Sequence, residues 1–243
     1  MFPSSQLLLA TAMSIGFVHT LLGPDHYLPF AVIARALRWS TARTLWITFL
    51  CGLGHVGSSV LLGLIGAALG VAVERLTGIE SVRGGLAAWA LIAFGLVYML
   101  YGIRLAVRGR QHTHVHSHDG ATFHTHTHAH TSGHVHVHSV AETPEQGQRV
   151  NLTPWILFTL FVFGPCEPLI PLIMYPAFES SWALMLLVAA AFAVATVGTM
   201  LVVVLALSKG LSLLPLGRLE RYSHALAGLA ILASGLAIRF FGL

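Results

Sequence analysis

A short polar motif inside a long apolar run constrains the fold of this chain most strongly. The run from Leu7 to Ala34 contains His19-Thr-Leu-Leu-Gly-Pro-Asp25-His26, which carries two imidazoles and a carboxylate. An aspartate at the centre of a membrane helix costs roughly 2.5–3.5 kcal/mol on insertion scales, so it marks a candidate functional site. Pro24 removes a backbone donor and breaks the helix. Because a broken helix at membrane depth must face protein or a watery cavity, the motif predicts a discontinuous span whose polar groups point inward.

The composition of the chain supports an integral membrane protein. Of its 243 residues, 56% are hydrophobic and 9% are charged, whereas about 25% of residues in soluble chains are charged. Several apolar runs exceed about 18 residues, the length that indicates a transmembrane helix. The formal net charge of +4 is small, and we expect no nucleic-acid partner. No Walker motif or other nucleotide site is present, and we expect no enzymatic activity.

The apolar runs predict an all-α integral membrane fold with six transmembrane helices. Residues 1–107 form a first unit of three helices and residues 152–243 a second one, with a polar, histidine-rich loop at 108–151 between them. The first span, at about 5–34, is broken at Gly23-Pro24, and the fourth, at about 152–176, is broken at Gly164-Pro165. The remaining spans are predicted at about 44–73, 84–107, 182–207 and 222–241.

The basic residues predict the orientation of these spans. Six spans place ten of the 13 Lys and Arg residues on the side that holds the histidine-rich loop. Because basic loops stay in the cytoplasm, that side is predicted to be cytoplasmic and both termini to lie outside. We therefore expect a multi-pass protein of the cell's inner (plasma) membrane.

The two halves of the chain resemble each other. Gly23-Pro24-Asp25-His26 aligns with Gly164-Pro165-Cys166-Glu167, and the same spacing aligns His55-Val-Gly-Ser with Thr196-Val-Gly-Thr. Each half has three spans, so the second half enters the membrane from the opposite face. This predicts an inverted 3+3 repeat with two broken helices, an architecture that binds substrate at the midplane between the breaks.

The repeat would bring together side chains that suit a transition metal. Imidazole, carboxylate and thiolate ligands fit nickel, cobalt or zinc better than magnesium or calcium. Three simpler roles stay open: Asp25 pairs with a histidine to join helices, His55 makes an interhelical hydrogen bond, and Cys166 fills apolar space. The predicted metal site consists of His19, Asp25, His26, His55, Cys166 and Glu167.

The histidine-rich loop predicts a second kind of metal binding. Small and polar residues separate its histidines, so we expect disorder without metal and capture or buffering of ions in many near-equal arrangements. In an extended chain, residues two apart point the same way and can share an ion. The loop histidines are His112, His114, His116, His118, His124, His126, His128, His130, His134, His136 and His138.

Three motifs resemble the nickel/cobalt transporter superfamily, and most closely its six-span NicO and UreH-like branch. They are the motif at 19–26, Leu53-Gly-His55, and Phe163-Gly-Pro-Cys-Glu-Pro-Leu169. The resemblance covers the whole chain and implies permeation of Ni²⁺ or Co²⁺. It also implies that His19, Asp25, His26 and His55 handle the metal.

We therefore expect a divalent transition-metal transporter with no permanently bound cofactor. Its cargo would be Ni²⁺ or Co²⁺, with Zn²⁺ and Mn²⁺ as alternatives, and its partners would be the lipid bilayer and a metallochaperone. The main rival is a thiol/disulfide electron carrier of the cytochrome c biogenesis type, which would use Cys51 and Cys166. A metal sensor or scaffold without transport is a second rival.

Overall fold

A computed structural model provides the fold of the protein. It describes residues 5–108, 112–118, 122–128, 153–164, 166–178, 181–213, 215 and 217–242. Outside one hairpin, the regular elements in these ranges are helices, which agrees with the predicted all-α class. They are α1 (Ser5–Leu22), α2 (Leu28–Ala36), α3 (Thr41–Ala68), α4 (Val73–Arg108), α5 (Thr153–Phe163), α6 (Leu169–Phe178), α7 (Trp182–Leu213) and α8 (Ser223–Phe241).

Five helical stretches are long and apolar enough to cross a bilayer, as expected of a multi-pass membrane protein. They begin at Ser5, Thr41, Val73, Trp182 and Leu219. The region of the predicted fourth span instead contains two short helices, α5 with 11 residues and α6 with 10 residues. Neither reaches the roughly 20 residues that a single span needs.

Both predicted helix breaks are present. α1 ends at Leu22, the 3₁₀ turn Pro24–His26 follows, and α2 starts at Leu28. In the second half, α5 ends at Phe163 and α6 starts at Leu169. In both halves the chain leaves its helix directly before the Gly-Pro pair, since proline cannot supply the N–H that the next helical turn requires.

The helix α4 begins earlier than the sequence predicts. Its first turn lies at Val73 rather than near residue 84, and it spans 36 residues. The acidic and basic residues between 74 and 83 lower the local hydropathy, which moves a hydropathy-based boundary toward the C-terminus. One of them, Glu80, is fully buried, so this part of α4 packs against other elements.

Helices α4 and α8 pack closely through glycines and run antiparallel. A Cβ on Gly95 would collide with the backbone of Leu232, and one on Gly102 would collide with that of Ala225. A Cβ on Gly235 would meet Ile92. Residues that come later in α4 therefore contact residues that come earlier in α8, which makes the two helices antiparallel. Small residues permit such close approach of membrane helices.

The remaining helices pack in a reciprocal pattern around two apolar clusters. α7 packs against α1 and α2, while α3 packs against α5 and α6. The first apolar cluster includes Leu8, Val56, Cys166, Ile173 and Phe192. The second apolar cluster consists of Phe30, Ile33, Cys51, Leu91, Leu157, Phe161, Met200, Val204 and Ile231.

Part of the histidine-rich loop forms a hairpin. Strand β1 (His112–His118) pairs antiparallel with β2 (Thr122–His128), and the register pairs His114 with His126. The expectation that this loop is disordered without metal stays a prediction. The histidines at 130, 134, 136 and 138 lie outside the described residues.

Candidate metal centre

Three predicted ligands meet beside the first helix break. His19 comes from the end of α1, His26 from the 3₁₀ turn and His55 from the middle of α3. One ring nitrogen from each lies within 4.8 Å of the others. His26 and His55 are buried, with exposed fractions of 2% and 3%. Within the described part of the chain, these residues are the one group of three or more histidine, cysteine or carboxylate side chains with this geometry.

The hydrogen bonds of His26 fix which of its nitrogens is free. Its Nδ1 lies 3.1 Å from the carbonyl oxygen of Gly23 and 3.0 Å from Oδ1 of Asp25. Both neighbours can only accept, so Nδ1 carries the proton and donates it. In the neutral ring, Nε2 then has an unshared electron pair. This is the arrangement in which a carboxylate and a carbonyl orient a metal-binding histidine.

His55 is oriented in the same way by the other half of the chain. Its Nδ1 lies 3.4 Å from the carbonyl oxygen of Phe161, near the end of α5. That carbonyl also can only accept, so Nδ1 is the donor and Nε2 keeps its lone pair. The Nε2 atoms of His26 and His55 lie 3.3 Å apart. Two lone pairs at this distance repel each other unless a proton or a cation lies between them.

A transition-metal ion fits this gap. If an ion lay about 2.1 Å from each Nε2 atom, the N–metal–N angle would be about 100°, between the ideal octahedral and tetrahedral angles. The third ligand is also available, because Nε2 of His19 is buried and has no hydrogen-bond partner among the described residues. A His19 nitrogen already lies within 4.8 Å of those of His26 and His55, and it would have to move closer, because nitrogens bound to one tetrahedral ion at about 2.1 Å lie about 3.4 Å apart.

Glycines at both breaks pack against these histidines. A Cβ on Gly23 would lie 2.5 Å from Nδ1 of His26 and 2.9 Å from Oδ1 of Asp25. A Cβ on Gly164 would lie 3.2 Å from Nδ1 of His55. The first contact leaves no room for a side chain at Gly23, so a glycine there lets the chain turn back tightly enough for Asp25 to reach His26.

The site opens into a cavity of about 470 Å³, which we call the central cavity. His19, Asp25, His26 and His55 line it together with Glu167. It extends along the first half of α4, at Gly84, and the end of α8, at Arg239. Glu167 is exposed, and so supplies a carboxylate on the wall of the cavity rather than inside the histidine cluster.

The other two predicted ligands occupy different positions. Asp25 contacts Nδ1 of His26, on the opposite side of the ring from the free Nε2, so it would orient this ligand rather than touch the ion. Cys166 is buried in the first apolar cluster, outside the group of three histidines. This position matches the simpler role left open for it, that of an apolar filler.

A buried ionic network that the sequence did not predict lies beside the second break. Glu80 and Arg83 form an ion pair on α4. Arg83 donates to the carbonyl oxygens of Val162, at 2.9 Å, and Gly164, at 3.4 Å. The amide of Cys166 donates to Oε2 of Glu80 at 3.0 Å. The network thereby fixes the position of the broken chain at the end of α5, where the carbonyl of Phe161 accepts the hydrogen bond from His55. The sequence does offer one indication of this ion pair: a Glu and an Arg lie three residues apart at the start of an apolar helix.

Comparisons with family models, with curated proteins and with solved structures found no match for this chain.

Proposed function

We propose that the protein transports divalent transition-metal ions, with Ni²⁺ or Co²⁺ as the preferred cargo. The ion binds His19, His26 and His55 at the first helix break. Asp25 holds His26 in its binding orientation, and Asp25 and Glu167 together offset the charge of the dication. The histidine-rich loop captures ions on the side from which they enter or leave.

The observation that carries this proposal is that Nε2 of His26 and Nε2 of His55 lie 3.3 Å apart, while an acceptor lies beside Nδ1 of each ring. A structural histidine pair would normally place a donor against an acceptor. Here acceptors lie beside both Nδ1 atoms, so either a proton on an ionised His26, paired with Asp25, or a bound cation must lie between the two buried Nε2 atoms. Such an arrangement is stabilised when a cation enters, and three imidazole nitrogens favour a first-row transition ion over magnesium or calcium.

The two apolar rings next to the site support transport rather than storage. Phe30 follows His26 by about one helical turn, and its ring centroid lies 4.7 Å from that of Phe161 in the second apolar cluster. The central cavity lies on one side of this cluster. On the other side, a second cavity is lined by Ala31 and Ala34. A site that is open on one side and closed by apolar packing on the other is expected of one state of an alternating-access transporter.

The helix packing supports the inverted repeat that such a mechanism uses. Exchanging the two halves converts the packing of α7 on α1 and α2 into that of α3 on α5 and α6, and both pairs occur. It also converts the Gly95–Leu232 contact into the Ile92–Gly235 contact, and both occur. In this proposal α5 and α6 together form the fourth of six spans, and rocking of the halves exposes the ion alternately to the two sides.

The electron-carrier alternative gains no support from the positions of the thiols. Cys51 and Cys166 are both free. They are buried in different apolar clusters, Cys51 in the second and Cys166 in the first. A dithiol carrier needs its two sulfurs within bonding reach of each other, and no contact between them is seen in the described residues.

The proposal is tested by uptake of radioactive nickel into proteoliposomes that contain the full chain. We expect His26→Ala to abolish uptake, because it removes a ligand and frees Asp25. The matched control is His124→Ala, which removes one of eleven loop histidines and should leave uptake nearly unchanged. Nickel uptake by His26→Ala at the wild-type rate would refute the site, and absence of uptake by the wild-type protein for every divalent ion tried would refute the function.

A further inference from the structure

A second cavity lies at the opposite end of the helix bundle from the central cavity. We call it the basic cavity. Its volume is about 640 Å³, and it lies where α2 ends, α3 begins, α7 ends and α8 begins. Four cationic side chains line it, from Arg35, Arg38, Lys209 and Arg221, with one carboxylate, from Glu220. The excess of positive charge in this lining favours an anionic ligand.

The cavity contains polar groups without partners. The indole N–H of Trp39 and the hydroxyl of Ser208 are both buried and make no hydrogen bond within the described ranges. Both residues line the basic cavity. Buried donors normally have an acceptor, because leaving one unpaired is costly. A ligand that brings acceptor oxygens would satisfy them.

The backbone at the edge of the cavity is strained. Arg38 has φ of 51°, a left-handed conformation, at the position that ends α2. Trp39 N donates to the carbonyl of Ala34 at 2.8 Å, the bond that ends a helix with a left-handed residue. Glycine is usual at this position because it has no Cβ. Strained non-glycine residues cluster at ligand-binding sites, and this one brings a guanidinium to the cavity mouth.

The wall behind Arg38 is held in place. The guanidinium of Arg35 donates to the carbonyl of Leu211, which joins α2 to the last turn of α7. Arg38 itself pairs with Glu220 at 3.2 Å, but both side chains are exposed, so this contact is weak and open to exchange. An incoming anion can therefore replace Glu220 on Arg38 while Arg35 keeps the cavity shaped.

From these observations we propose that the basic cavity binds a phosphate group. Phosphate oxygens accept hydrogen bonds from guanidinium, ammonium, indole N–H and hydroxyl groups, which are the groups that line the cavity. The phosphate can come from a phospholipid head group, since the cavity lies at the ends of apolar helices, or from a free phosphate ion. Basic pockets between transmembrane helices bind anionic head groups in this way. The inference is independent of the metal site.

The test is thermal unfolding of the purified full chain, because a ligand that binds the folded state raises Tm. One arm adds inorganic phosphate in detergent, against sodium chloride at equal ionic strength. The other arm compares a phosphate-free maltoside detergent with the same detergent supplemented with phosphatidylglycerol. A rise in Tm in the first arm indicates a free phosphate ion, and a rise confined to the second indicates a head group.

Variants identify the cavity as the binding site. We expect Arg38→Gln combined with Lys209→Gln to weaken binding about tenfold or more. The matched control removes two exposed charges of α4 at the same end of the bundle, by Arg104→Gln with Arg108→Gln, and should retain the shift. Trp39→Phe keeps the ring packing, removes the N–H and should also reduce the shift.

Two results would overturn the proposal. No rise in Tm with either phosphate source would show that the cavity binds no phosphate. An equal loss in the two double variants, with Trp39→Phe unaffected, would show that attraction is general to the basic surface and not located in the cavity.

Discussion

His26 owes its orientation to two neighbours that act on the same ring nitrogen. Gly23 supplies a carbonyl at 3.1 Å and Asp25 a carboxylate oxygen at 3.0 Å. Residue types alone place Asp25 among the ligands, because a carboxylate near histidines is a common metal ligand. Which nitrogen the carboxylate contacts depends on the turn at 24–26, so the orienting position of Asp25 could not be read from residue types.

Asp25→Asn tests this orienting role. The amide keeps the shape of the side chain but removes its negative charge, and outer-shell changes of this kind usually cost about 10–100-fold in metal affinity. We expect a loss of that size in Co²⁺ affinity, measured by visible absorption on the full chain with its loop histidines replaced by Gln. Glu74→Gln removes an exposed carboxylate from α4 and serves as the control. Equal affinities for Asp25→Asn and Glu74→Gln would contradict the assignment.

Gly23→Ala tests the tight turn at the first break. The new Cβ would lie 2.5 Å from Nδ1 of His26, so the imidazole or the backbone must move and the contact with Asp25 must open. We expect metal binding to be lost in the same Co²⁺ assay. The control is Gly198→Ala on α7, where a Cβ meets nothing within 4 Å. Normal binding by Gly23→Ala would show that the turn does not set the ligand geometry.

At the level of elements, the two broken helices were predictable because each break has a local cause. A Gly-Pro pair ends a helix whatever surrounds it, and the structure ends α1 and α5 directly before these pairs. The start of α4 and the network of Glu80 with Arg83 were missed, since hydropathy averages over neighbours. The three-residue spacing of Glu80 and Arg83 indicates an ion pair, but hydropathy does not show whether such a pair is buried.

Glu80→Gln tests whether this network holds the second break. Removing one partner of a buried ion pair costs about 3–5 kcal/mol, because the remaining charge loses its counter-ion. We expect a large fall in the denaturant midpoint of the full chain in detergent. Glu220→Gln, in the exposed pair with Arg38, should cost about 1 kcal/mol or less. Similar midpoints for the two variants would mean that the Glu80 pair adds no more than a surface contact.

At the level of the whole molecule, the candidate metal site lines the first of two cavities of different character. The central cavity contains carboxylates and imidazoles, whereas the basic cavity contains guanidinium and ammonium groups. The second apolar cluster lies between them, with Phe30 and Ile33 on α2 and Ile231 on α8. The sequence predicted the histidine group because its members share a chemistry, but not the cavities, which arise from the packing of helices distant in sequence.

Deleting residues 111–139 tests whether the loop only captures ions while the central site carries transport. The deletion removes all eleven histidines of the segment but none of the residues that surround the central cavity. We expect nickel uptake to persist at high concentration and to fall at low concentration, where capture limits the rate. The control keeps the native loop length but has every loop histidine changed to Gln. It should show the same fall in uptake at low nickel concentration as the deletion. Complete loss of uptake in both variants would show that the essential metal site lies in the loop.

The central claim is that a cation lies between Nε2 of His26 and Nε2 of His55. Anomalous diffraction at the nickel or cobalt absorption edge, from crystals of the full chain grown with that ion, tests it most directly. We expect one strong peak about 2.1 Å from both nitrogens and within reach of His19. Anomalous peaks confined to the histidine-rich loop, with the two Nε2 atoms still facing each other and no metal between them, would contradict the account.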